Sequence, residues 1–180
     1  MLEITIPSRE FWNEKNETFV YTKETKLKLE HSLVSLSKWE SKWNKAFLSK
    51  QSKTMDETID YIKCMTLTQN VNPEVYKYLT NDNIRQVNEY IEAPMTATVI
   101  RELGNSKPNR DIVTAEIIYY WMISFNIPFE CQKWHLNRLL TLIRVCNIKN
   151  APKKSMSKGE IMRQNAELNA MRRQQLNSKG

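Results

Sequence analysis

The chain has 180 residues, with 27 lysines and arginines against 20 aspartates and glutamates, a net charge of +7, and three glycines. That length buries one core and leaves room for a peripheral segment, while so little glycine excludes glycine-rich phosphate loops, dinucleotide-binding turns and large sheets with many tight hairpins. The excess charge is segregated: residues 149–180 hold eight basic and two acidic residues, whereas the preceding 148 hold 19 and 18. A near-neutral domain over 1–148 and a basic tail over 149–180 are therefore expected. Cys64, Cys131 and Cys146 are odd in number, widely spaced and set in apolar patterns, which suits reduced thiols better than a disulfide framework. With no signal-peptide pattern and no apolar run long enough to span a bilayer, a soluble, intracellular protein is expected.

Leu2-Glu3-Ile4-Thr5-Ile6 alternates apolar and polar residues before Pro7, as a half-buried strand does. Thr18–Tyr21 and Lys26–Leu33 alternate similarly, so a small antiparallel sheet is expected near the N-terminus. Ser37 with Glu40 reads as a capping box, followed by Trp39, Trp43 and Phe47 on one helical face. The tryptophans read as core anchors in preference to a base-stacking platform. Thr54 with Glu57 forms a second box, ahead of Ile59, Ile62, Cys64, Met65 and Leu67. Asn72-Pro73-Glu74 opens another helix, and Thr80 or Asn81 caps a further one through Ile84, Val87 and Ile91. Gly104–Pro108 is the clearest internal loop.

The densest apolar block is Ile117–Ile148, and everything else is expected to pack on it as a core helical hairpin over 111–147. Asn109 or Asp111 is read as its first cap. Pro128 should end one helix near Phe125 and open the next, which would run to Asn147 and set Cys131, His135, Leu139, Leu142 and Cys146 on one stripe. In the tail, Ser157 and Glu160 form a box before a helix-rich stretch, Ile161–Leu176, whose Ile161, Leu168 and Met171 lean to one side. The fold class expected is mainly α (α+β): a helical domain with a small N-terminal antiparallel sheet and a basic C-terminal helical tail.

Chemistry finds little support. Cys131 and His135 have the spacing of two metal ligands on one helix, but two ligands do not complete a zinc site. Cys146 would lie about 16 Å from His135 at roughly 1.5 Å per residue, too far to supply a third. His31 and His135 are the only imidazoles, and Cys64 with His31 carries no nucleophile signature. No catalytic residue, metal or cofactor is expected. The tail is the functional candidate: Lys153, Lys154, Lys158, Arg163, Arg172 and Arg173 supply charge, and Ile161, Met162, Leu168 and Met171 supply adaptable apolar contacts for a partner groove or an acidic helical partner. Nucleic acid is disfavoured as the partner, because the tail holds no aromatic residue to stack on bases.

Several strings resemble a known family. His31-Ser32-Leu33-Val34-Ser35-Leu36-Ser37-Lys38-Trp39-Glu40-Ser41-Lys42-Trp43, Asp60–Thr66, Pro94–Thr98, and Tyr119–Met122 through Trp134–Leu139, with the Met156–Met162 segment of the tail, are similar to small proteins from the tail-gene modules of long-tailed bacteriophages. These are often labelled tail assembly chaperones. The resemblance covers nearly the whole chain. It implies a non-enzymatic protein that binds the helical, aggregation-prone tape measure protein in the host cytoplasm until tail-tube subunits polymerise around it, and that forms a homo-oligomer. A structural or completion protein of the virion is the alternative it leaves open, and a nucleic-acid-binding protein acting through the basic tail is a second.

Overall fold

The computed structural model describes residues 1–13, 18–100, 112–151 and 158–176. It is mainly helical with a minor β component, the α+β class expected. The chain divides into two compact units, Met1–Asn147 and Ile148–Gly180.

In the first unit β1 (Leu2–Ile6) pairs antiparallel with β4 (Thr25–Leu29), and β2 (Arg9–Asn13) pairs antiparallel with β3 (Thr18–Thr22). The register sets Ile4 opposite Leu27 and Leu2 opposite Leu29. Period-two alternation then turns Ile4, Ile6, Leu27 and Leu29 into the core and leaves Glu3, Lys26 and Lys28 outside. The alternation read as far as Leu33 stops at Leu29, because Ser32 caps a helix. β2 had no reading in the sequence.

That helix, α1 (Leu33–Trp43), is the element around which this unit is built: it packs against α2 (Met55–Met65), α4 (Ala115–Ser124) and the 3-10 turn Phe129–Lys133. The Ile117–Ile148 block is thus one wall of the core and not its centre. Leu33, Leu36 and Trp39 form the buried stripe. The Ser32 hydroxyl accepts from the Ser35 amide at 3.3 Å, and Asn44 ends the helix in the left-handed region at φ 53°. The expected start at Ser37 is corrected. Ser37 and Glu40 lie inside α1, since the apolar periodicity extends one turn further back and the amides a cap would serve are already in helical hydrogen bonds. Phe47 lies beyond the helix and folds back to stack on Tyr61 at 3.8 Å, with Trp39 edge-on at 5.1 Å. Truncating Trp39, which is 1% exposed, to alanine would cost about 3–5 kcal/mol.

The capping box Thr54 and Glu57 opens α2 as expected, and Thr80, bonded reciprocally with Asn83, opens α3 (Asn81–Glu92). Asn72-Pro73-Glu74 starts a six-residue 3-10 turn, not an α-helix.

The hairpin needs two corrections. Its first cap is Thr114, whereas Asn109 and Asp111, like the Gly104–Pro108 loop, lie outside the described residues. Its second helix does not begin at Pro128. Phe129–Lys133 is a 3-10 turn, Trp134 is extended, and α5 runs Leu136–Asn150. The cause is a contact far away in sequence. Ser32 and His135 form an antiparallel bridge and the Leu136 amide donates to the His31 carbonyl at 2.7 Å, so residues 134–135 are held extended and the helix restarts after them. Cys131 and His135 therefore do not share a helical face.

The second unit contains α6 (Lys158–Leu176), a helix of 19 residues. None of the described helices is long and apolar enough to cross a membrane.

Candidate interaction surface

The tail residues marked out by charge and hydropathy fall largely on α6. Lys158, Ile161, Met162, Arg163, Leu168, Met171, Arg172 and Arg173 are all on this helix and all exposed, while Lys153 and Lys154 lie outside the described residues. At 3.6 residues per turn, Ile161, Leu168, Arg172 and Leu176 line up along one side, and Glu167 falls on the far side from Arg172. Met162 is 76% exposed and Leu176 75%. Helix formers such as Gln, Glu, Ala and Arg explain why the stretch is helical without a buried face.

The groups that could have carried chemistry are spent on structure. His31 and His135, the only histidines, meet in the core edge to face, 5.1 Å between ring centroids. His31 Nδ1 shares a 2.6 Å hydrogen bond with the Tyr61 hydroxyl. His135 Nδ1 accepts from the Asn137 amide at 3.3 Å, which places the proton on Nε2, and Nε2 donates to the Tyr90 carbonyl at 2.9 Å. Burial, reinforced by the neighbouring His135, lowers His31 to about 3, and burial lowers His135 as well. Both rings are neutral packing elements. Tyr90 donates its hydroxyl proton to Glu30 Oε1 at 2.7 Å, and the Met1 amine lies 3.1 Å from the other Glu30 oxygen. Tyr61 and Tyr90, which hold the two histidines, were not marked out by the sequence. The available signal for Tyr61 was its position four residues after the capping Glu57, on the stripe that faces α1.

Cys64 is half-buried, and burial with the adjacent Asp60 charge pushes its thiol up, the opposite of what a nucleophile needs. The acidic pair of α2 is likewise structural. Burial opposes ionisation of Asp60, but hydrogen bonds from Lys42 and from Trp43 Nε1 outweigh it and hold the carboxyl low. Glu57 is held low by Lys45, 2.5 Å away, and by the Thr54 amide. Among the described residues no three histidine, cysteine or acidic side chains converge to hold a metal ion.

No family model, no curated protein and no solved structure matches this chain.

Proposed function

We propose that this chain is a non-enzymatic binding protein, a tail assembly chaperone of a long-tailed bacteriophage, which holds the tape measure protein in the host cytoplasm before the tail tube polymerises. The observation that carries this reading is α6: a solvated helix that displays isoleucine, leucine and methionine beside three arginines, in a chain whose other unit is nearly neutral. Apolar side chains left in water on a regular helix suit a complementary surface, and methionine adapts to repeated, imperfect stripes. The resemblance of Asp60–Thr66 and Tyr119–Met122 to tail-module proteins supplies the partner. A tape measure protein offers many apolar helical segments, and a self-associating chaperone would gain by engaging several at once.

Co-expression with the tape measure protein and affinity capture is the test. Recovery of the tape measure protein in soluble form is expected, as is its loss when Met162, Leu168 and Met171 are changed together to serine. Failure of the intact chain to recover it would refute the assignment. A stoichiometric quantity of the chain in purified virions would replace the chaperone role with a structural one.

A further inference from the structure

Within the Met1–Asn147 unit, α3 is fastened differently from α1 and α2. Those two helices bury Leu33, Leu36 and Trp39, and Tyr61, Ile62 and Met65. The apolar side chains that α3 buries are Val87 and Tyr90, with Ile91 partly covered. Its other fastenings are polar and sit toward its two ends. Near the start, where α3 packs against β1, Asn83 Nδ2 donates to the Thr5 carbonyl at 3.1 Å. At the end, His135 Nε2 donates to the Tyr90 carbonyl at 2.9 Å, and the Asn137 side-chain amide donates to the carbonyls of Ile91 and Ala93 at 2.9 and 2.8 Å. The last carbonyls of a helix have no partner inside it, and here the start of α5 supplies the donors. The Tyr90 hydroxyl adds its 2.7 Å bond to Glu30.

Polar and apolar fastenings respond differently to separation. A hydrogen bond lost on opening is replaced by one to water, so its net contribution is small, whereas exposed apolar surface regains nothing. A helix held mainly by such bonds therefore separates at less cost than its neighbours. The chain on either side of α3 can turn without moving α1 or α2. Thr80 is extended after the 3-10 turn Pro73–Tyr78, and beyond the helix Pro94 prevents its continuation and Met95 sits in the left-handed region at φ 50°. That backbone conformation is uncommon for methionine, and release of the segment relaxes it.

We propose that α3 is a latched flap, which opens as one unit while α1 and α2 stay folded, with His135 and Asn137 as the latch. Opening uncovers the outer edge of β1, a row of backbone amides and carbonyls of the kind that accepts a further strand. The flap does not involve the tail, so it stands or falls apart from the tape measure assignment.

Residue-resolved hydrogen exchange of the full chain, followed by NMR, is the test. The interior amides of α3, at residues 86–90, should share one protection factor within about threefold, and it should lie at least about tenfold below those of α1 and α2. Asn137→Ala should lower α3 protection by a further factor of about ten, for two hydrogen bonds lost, and change α1 and α2 less than about twofold. Tyr90→Phe, which keeps the ring and drops the bond to Glu30, should lower α3 protection about fivefold. Ile62→Val in the core of α2 should do the opposite, lowering α1 and α2 about fivefold and leaving α3 within about twofold. Equal protection of the three helices, protection that grades inward from the ends of α3, Asn137→Ala lowering all three helices alike, or Asn137→Ala leaving the chain unfolded would each overturn the flap.

Discussion

The Glu40 carboxylate, buried at 7% exposure on α1, accepts a 2.7 Å hydrogen bond from the amide of Ala115, 75 residues away at the first turn of α4. Its other oxygen accepts from the Phe47 amide at 2.8 Å. Thr114, the residue at the cap position of α4, makes no side-chain cap bond, so Glu40 caps that helix from a distance and adds a negative charge at its positive end.

Glu40→Ala would strand two buried amides and should destabilise the protein by about 2–4 kcal/mol. Glu40→Gln retains one acceptor oxygen and should cost about half as much, whereas Thr114→Ala should fall within about 0.5 kcal/mol of the parent. Urea unfolding followed by tryptophan fluorescence gives the three values. Similar losses for Glu40→Ala and Thr114→Ala would show that the distant cap is inert.

Stability should begin to decline with acid near pH 6.5, ahead of the depressed carboxyls Glu57 and Asp60. The unfolded chain binds protons at its two histidines near pH 6.5, while the folded chain keeps His31 neutral down to about 3 and His135 below its ordinary value. A base depressed by folding contributes fully above the unfolded value and loses its contribution as pH falls toward the folded one. Between pH 6.5 and about 4.5 the two rings act nearly alone, because the depressed carboxyls Glu57 and Asp60 take effect only below that range. His31, neutral down to about 3, should remove up to about 1.4 kcal/mol per pH unit there, and His135 adds to the slope in the same direction. The tyrosines facing them, Tyr61 and Tyr90, are pushed up by burial and stay neutral throughout the window. His31→Gln should flatten the slope measured by urea midpoints at pH 6.5, 5.5 and 4.5, and an unchanged slope would contradict the buried pair.

Those two sites also show where a linear reading of the chain stops. Thr54 with Glu57 and Thr80 before α3 were legible because a cap is settled within four residues. The β1 alternation was legible because the buried face has period two. Ser37 with Glu40 has the same local form as Thr54 with Glu57, yet the partners of Glu40 lie seven and 75 residues away and the true cap is Ser32. Pro128 was a sound local signal for a helix start, overridden when residues 134–135 bridged to Ser32. The tail residues were legible as a charged, helix-forming stretch, since neither property depends on contacts. The groove lined by Leu48, Pro94, Trp121 and Leu140 was not, because those side chains come from separated stretches that only the fold brings together.

Cys64 should react sluggishly. With its thiol pushed up by burial and by Asp60, iodoacetamide at pH 7.5 should alkylate it at less than roughly a tenth of the rate seen after unfolding in urea. Peptide mass mapping at timed intervals resolves it from Cys131 and Cys146. Reaction at the unfolded rate would mean that the α2 face bearing Cys64 opens freely.

The basic tail gives the sharpest division between a protein partner and a nucleic-acid one. If residues 149–180 neutralised about six phosphates, affinity for double-stranded DNA would fall with a log–log salt slope near −5, roughly a thousandfold between 50 and 200 mM salt. Contacts made through Met162, Leu168 and Met171 would survive that change, because burying apolar surface is not screened. Capture of the tape measure protein at 50 and 200 mM salt should therefore differ by less than about tenfold. Arg172→Glu with Arg173→Glu should weaken capture modestly and leave the unfolding of the Met1–Asn147 unit unchanged, since both arginines are exposed on α6. A steep salt slope on DNA, with tape measure capture absent at both salt concentrations, would transfer the tail to phosphate binding.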